Sequence, residues 1–544
     1  MFLCWNHGAG SIGGVAFDEQ YEGDSLTLSE MEQAFSSVYE KNANNPPFEV
    51  IGFDACLMAT LDTARTFHGF SSILIASQDV EPGNGWSYTD WLTQLGKKTD
   101  IDGEKLGKII CDTYMKGCHE ASTHQCATLS VIDINKSHIL WKAMDLFGFE
   151  ALVNTVDDKK FYTSFSRNVK KAENYGNNSS GYTNMVDLGQ MIEKNAKLLP
   201  DSADMVTEIL NEAVLYKVNG PYRKSSGISC FFPFDSKKEN YEIMLSMSPS
   251  SILAFYGSQH GFIPSDTAKD LAISCAVPAY DFLNSLLKEG EEQKEMVRHV
   301  SKPSAIEGDI TRSLSDISSL EDMPLTITED GEAQLTLGAD RVSLLDSVSF
   351  IIAIVDTEEQ VIVLLGSDAN ITADWDSGIF KGHFSGKWPA LNENPLYMEI
   401  TEQEEKFYLY TSPILLNGVR YNLEVAYDFK DAAYKILGAR KQDKKKKDKN
   451  LIHLKKGDKI TPIMWAIALD SDEEDSELTE FQMDTFVLNE EPKIQDVDLG
   501  DGNFAFVFSM ENTQNQSSLS EVIFFSSNGN SITIQKELEE ETEK

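Results

Sequence analysis

Two apolar runs near the start of this chain each break at a residue able to do chemistry. The first, Trp5-Asn6-His7-Gly8-Ala9-Gly10, delivers an imidazole, and the second, Ile51-Gly52-Phe53-Asp54-Ala55-Cys56, delivers a thiol. Short apolar runs bounded by turn residues read as buried strands. With a helical pattern between them they form a βαβ unit, whose strands run parallel. Open α/β sheets bind their ligands in the crevice beyond the carboxyl ends of such strands. A chain built this way brings His7 and Cys56 to one rim, as a thiol nucleophile and its base require.

The intervening segment supports this reading. Leu26-Thr27-Leu28-Ser29-Glu30 opens a helix in which Ser29 can cap and Glu30 and Glu32 suit the first turn. Met31, Ala34, Phe35 and Val38 recur at helical spacing, and Asn44-Asn45-Pro46-Pro47 ends the helix. Further strands are expected at 73–76 and 129–132, with an amphipathic helix through Leu106, Ile109, Ile110 and Tyr114 between them. Such alternation predicts an α/β sheet, open and carrying helices on both faces. From about residue 290 the character changes. β-rich runs at 348–355, 361–365, 407–410, 421–427, 504–508 and 522–525 are separated by Gly, Asn and Asp turns, and they predict sandwich-like accessory modules. The expected boundaries are an α/β domain over 1–285 and a linker or peripheral helices over 286–325. A β-rich module over 326–440 follows, then a second module or continuation over 450–537 and a charged tail over 538–544. The lysine run at 444–447 and the acidic run at 472–475 read as solvated loops.

Charge narrows the partners. The formal net charge is −40, from 47 basic and 87 acidic residues, and like charge repels nucleic acid and anionic membrane surfaces. A basic protein substrate fits better. No run approaches the ~18 apolar residues of a membrane span. All seven cysteines lie within the first 275 residues, at spacings that suggest no disulfide framework.

The His7 and Cys56 segments are accompanied by Ile75-Ala76-Ser77, by Pro82-Gly83-Asn84-Gly85-Trp86 and by Gly227-Ile228-Ser229-Cys230-Phe231-Phe232-Pro233. Together they resemble the clostripain family of cysteine peptidases, which has a caspase-like α/β fold, and the resemblance covers about the first half of the chain. It implies a cysteine endopeptidase in which Cys56 attacks the scissile carbonyl and His7 serves as acid and base, with hydrolysis through a thioester. A free thiol has a pKa near ~8.5, and a neighbouring imidazolium lowers it. The resemblance further implies an oxyanion hole from the backbone N–H groups of Gly8 and Cys56. Asp54 matches the acid that in relatives lines the pocket for substrate Arg or Lys. A second pocket acid in relatives falls in the 78–86 loop, where Asp79 and Glu81 are candidates and Asn84 is neutral, so Arg against Lys preference stays open.

Other expectations come from the same likeness. Some relatives require calcium, but no Asp-x-Asp-x-Asp-Gly loop occurs here, and no other cofactor or metal is expected. Many relatives cut themselves after the histidine, yet His7 to Glu40 contains neither Lys nor Arg; a single working chain, or a cut between 440 and 449, is expected instead. Relatives are commonly exported, which implies a secreted or cell-surface protein. Met1 runs straight into the His7 motif with no signal peptide, so early strands and any leader are expected upstream. The sequence does not specify an oligomeric state.

Gly8-x-Gly10-x-x-Gly13 fits a dinucleotide fingerprint, but 14–25 reads as a loop with no helix to receive a pyrophosphate. Cys118-His119-x4-His124-x-Cys126 holds four potential zinc ligands, though at no standard spacing; a helix end and loop is the simpler reading. Cys111, Cys118 and Cys230 read as core thiols. Asp187 resembles a recurrent family position and is assigned no chemistry. Two rival functions stand beside the peptidase: a catalytically crippled homologue, and a surface-binding protein whose β-rich half carries Trp388, Tyr408, Tyr410 and Tyr421 as an aromatic platform.

Overall fold

The computed structural model describes all residues except 19, 22, 178–181, 287–299, 312–316, 330–331, 369–370, 383, 405, 442–449, 469–477, 528–531 and 536–544. The lysine run, the acidic run and the charged tail lie outside the described residues, as does all of 287–299. The chain divides into two compact units, Met1–Leu314 and Ser315–Gln442 with Asn450–Lys544.

The first unit is built on a five-stranded sheet. Its elements are β1 (Phe2–Trp5), α1 (Leu28–Val38), β2 (Phe48–Asp54), α2 (Leu61–Thr66), β3 (Ser71–Ala76), α3 (Tyr88–Lys97), α4 (Gly103–Glu120), β4 (Thr128–Asp133), α5 (Ile134–Asp157) and β5 (Val214–Asn219). The strands lie in the order β1-β2-β3-β4-β5, the first three parallel and the last two antiparallel to their neighbours. Alternate residues of a strand point to opposite faces, and here both faces are apolar. Ile51, Phe53, Leu74, Ala76 and Ile132 pack on one side with α1, α2 and α5. Val50, Ile73, Ile75, Leu129 and Val131 pack on the other with α3 and α4. This is a mixed α/β architecture with helices on both faces, as the alternation predicts.

Local differences from expectation have local causes. The cap of α1 is Thr27, whose hydroxyl accepts from Glu30 N–H while the Glu30 carboxylate accepts from Thr27 N–H. This reciprocal capping box puts Ser29 inside the first turn. The segment after His7, expected to be loop, carries a short hairpin, Val15–Asp18 against Asp24–Leu26. The glycines there open only the single turn Gly10–Gly13, leaving no helix for a dinucleotide. Cys111 and Cys118 are fully buried on α4, and Cys230 is buried in the strand Ser229–Phe231.

In the second unit one sheet incorporates both β-rich stretches. Lys459–Ala468 pairs with Phe407–Leu416 and with Val361–Asp368, and Gly502–Asn512 pairs along Leu345–Asp356. The stretch 450–537 is therefore woven into the sheet of 326–440. Trp388 is buried in this core and donates its indole N–H to the Leu396 carbonyl at 2.8 Å. Tyr410 and Tyr421 pack at the core's margin, and Tyr408 stands edge-on to Phe429. Among the described residues no helix is long and apolar enough to cross a membrane.

Candidate active site

The register of β1 on β2 decides the position of the first two site residues. Trp5 pairs with Asp54 in parallel, so His7 and Cys56, each two positions further on, leave the sheet at the same level on neighbouring strands. Their main chains come very close. A Cβ placed on Gly8 would sit 2.1 Å from the Cys56 carbonyl oxygen, so the approach tolerates no side chain at Gly8. His7 is half-buried, and its backbone N–H donates to the Asn6 side chain at 2.6 Å.

Beyond Cys56 the backbone is strained. Leu57 has φ +65°, a left-handed conformation that costs a side-chain-bearing residue about 1–3 kcal/mol and persists only where surroundings enforce it. The segment 77–81 does the enforcing. Leu57 N–H donates to the Asp79 carbonyl at 3.3 Å and Ala59 N–H to the Ser77 carbonyl at 2.9 Å. The Cys56 sulfur lies 4.0 Å from the Glu81 carbonyl oxygen. Only 2 % of Cys56 is exposed, and it packs with Leu57, Val80 and Tyr175. In this conformation the Cys56 side chain is almost wholly covered.

Asp54 and Glu81 form a buried acidic pair, each 1 % exposed. Asp54 Oδ2 accepts from the Tyr88 hydroxyl at 2.9 Å and from Trp86 N–H at 3.3 Å, while Glu81 Oε1 accepts from the Trp86 indole at 3.2 Å. Trp86 thus touches both carboxyls. Gly85, at φ +57°, closes over them, since a Cβ there would stand 2.9 Å from Asp54 Oδ1. Asp54 Oδ1 and Glu81 Oε2 are buried with no hydrogen-bond partner, and among the described residues no ion pair reaches either acid. Burial pushes the Glu81 carboxyl well above its usual range, and the Asp54 and Cys56 charges add to the effect. Tyr88 is pushed up as well, by burial first and then by the same two acids.

Asp79 is held differently. Its Oδ2 accepts from Arg223 Nε at 2.9 Å and Nη2 at 2.7 Å, with both side chains about as buried as the core. Neighbouring Gln78 donates to Asp187 Oδ2 at 3.0 Å and accepts from Gly227 N–H at 2.6 Å. Asp187 also accepts from Tyr175 and Ser226, and its other oxygen caps the helix Leu188–Asn195 through Gln190 N–H. Burial raises the pKa of Glu173 in this network, partly offset by Arg223. Asn84 is turned outward, donating to Cys118 Sγ and accepting from the Thr123 hydroxyl.

Of the residues singled out from sequence, His7, Gly8, Cys56, Asp54 and Glu81 converge at one sheet rim, and Asp79 faces Arg223 behind it. Arg223, Gln78, Tyr88 and Tyr175 carried no sequence signal, because each acts across long separations. His119 and His124 stack at a ring separation of 3.8 Å. Among the described residues no group of three or more His, Cys, Asp or Glu is arranged to hold a metal ion, so no calcium or zinc ligands are named.

Comparison with known proteins gives three results. The clostripain family model matches residues 1–267. A comparison with curated proteins found no match. Among solved structures, a secreted C11 cysteine protease from Bacteroides thetaiotaomicron with an irreversible peptide inhibitor is 16 % identical, covering 45 % of this chain and 71 % of its own at a TM-score of 0.32. A cysteine protease from B. fragilis is 14 % identical, covering 43 % and 96 % at 0.31. An inactive zymogen C11 protease from Parabacteroides distasonis is 16 % identical, covering 45 % and 67 % at 0.32. Residues 1–267 of this chain are thus recognised as matching the clostripain family of cysteine peptidases.

Proposed function

We propose that the protein is an endopeptidase that cleaves after basic residues, with Cys56 as nucleophile and His7 as acid and base. The reading rests chiefly on the in-register ends of β1 and β2, which set the two residues at one level on adjacent parallel strands. Cys56 attacks the scissile carbonyl as thiolate, His7 protonates the departing amine, and water then hydrolyses the thioester with His7 as base. The Gly8 and Cys56 peptide units, pressed together at the rim, supply the N–H donors for the oxyanion. Asp54 and Glu81 supply the preference. Buried charges are normally paired, and a carboxyl pair with two idle oxygens and no internal cation suits the ammonium or guanidinium of a substrate side chain. Asp79 serves as a brace and not as a substrate ligand.

The test is cleavage of fluorogenic peptides carrying Arg, Lys or a neutral residue before the reporter. Cleavage after Arg or Lys, lost in Cys56→Ala and in His7→Ala while both variants stay folded, is the expected result. Turnover by Cys56→Ala at the native rate removes the thiol from the reaction, and equal turnover of the neutral peptide removes the basic preference.

A further inference from the structure

The acidic pair poses an electrostatic problem that has one economical solution. Two carboxylates buried side by side repel each other strongly, and such pairs hold a shared proton until something replaces it. Here Trp86 spans Asp54 and Glu81 through its backbone N–H and its indole. Among the described residues, the titratable groups found to act on or respond to Glu81 are Asp54 on β2, Cys56 beyond it, Tyr88 on α3, and Tyr114 and Cys111 on α4. None of these is a cation. The tyrosines and Cys111 are all pushed upward by burial, so they stay neutral.

We propose that the pocket exchanges a proton for its substrate: the Asp54–Glu81 pair rests with one proton, held by Glu81, and gives it up to solvent as a basic side chain enters. The inference rests on the basic preference proposed above. Charge balances across the step. The singly protonated pair carries one negative charge, and the pair with substrate bound holds two carboxylates and one cation, again a net of one negative charge. The proton leaves the Glu81 oxygen, and that oxygen becomes free to accept from the entering N–H group. Glu81 therefore contributes its charge only when a cation is present, which spares the empty enzyme the repulsion of two buried anions.

The consequence is a linkage between basic substrates and pH. For one proton released, affinity rises by about tenfold per pH unit below the pocket's own titration, and a neutral isostere feels none of this. The measurement is titration calorimetry on the full chain carrying Cys56→Ala, with an arginine peptide and its citrulline counterpart in two buffers of different ionisation enthalpy near pH 6. Release of close to one proton with arginine, none with citrulline, and none with arginine in Glu81→Gln supports the exchange. The arginine and citrulline arms use the native pocket, so the result does not hinge on the folding of the Gln variant. Preferred binding of arginine with no proton released overturns the exchange and leaves the basic preference standing. Equal binding of arginine and citrulline overturns both.

Discussion

Asp79 and the Asp54–Glu81 pair are buried to similar depth, yet among the described residues only Asp79 has a cation of its own. Asp79 meets both nitrogens of one edge of Arg223, whereas among the described residues no ion pair reaches Asp54 or Glu81, both equally buried. The contrast separates an acid that holds the scaffold from acids that await something. A buried ion pair completed within the chain leaves no electrostatic work for a ligand. An incomplete one stores a demand for positive charge that folding leaves unmet.

The comparison breaks most visibly at Arg223. Arg223→Met strands Asp79 as an uncompensated buried charge, and loss of one partner from such a pair costs about 3–5 kcal/mol. Denaturant unfolding should show that loss, and Asp79→Asn in the same background should recover part of it. Asp54→Asn should do the reverse. It removes a charge that has no internal partner, so Tm should not fall, while kcat/KM for arginine substrates should drop about 100-fold, in line with about 2–3 kcal/mol for a charge-assisted contact. A fall in Tm without a fall in kcat/KM would place Asp54 with Asp79.

The smallest effect is in stability against pH. Glu81 holds its proton more tightly folded than unfolded, so the folded state binds more protons than the unfolded state above the ordinary value of 4.5. Its contribution is full at low pH and is lost as pH rises through the folded-state titration. Glu81→Gln should flatten that decline in urea unfolding measured between pH 4.5 and 8. Asp145 provides an internal control, because burial raises it to about 6 while its carboxylate accepts from Ser251 N–H. Its own slope, confined to about pH 4–6 and of the same sign, should persist in the Gln variant.

Much of this arrangement was legible in the sequence. The strands at β1, β2, β3 and β4 stood out because strands covered on both faces are nearly continuous apolar runs, and abrupt endings at His7 and Cys56 marked the rim. The hairpin after His7 was not legible, because its strands are only a few residues long and lack alternation. Acidic candidates in the 78–86 loop were visible, but their division of labour was not. Asp79 and Glu81 are two positions apart and chemically alike, and only Arg223, far along the chain, tells them apart. Asn84 illustrates the same limit, since its orientation toward Cys118 and Thr123 depends on where α4 ends. In the β-rich half the strands were readable one by one. Their joining into one sheet was not, because pairing such as that of Lys459–Ala468 with Val361–Asp368 leaves no mark on local pattern.

The strained turn at Leu57 depends on parts of the chain made much later. The loop that holds it is anchored by Arg223, 144 positions beyond Asp79, and by Ser229, whose N–H donates to the Ala59 carbonyl at 2.8 Å. During synthesis the thiol and imidazole therefore emerge from the ribosome well ahead of the braces that aim them. A nascent chain that stops short of Ser229 carries His7 and Cys56 without these contacts, so under the proposed function activity arrives as a late event in biosynthesis.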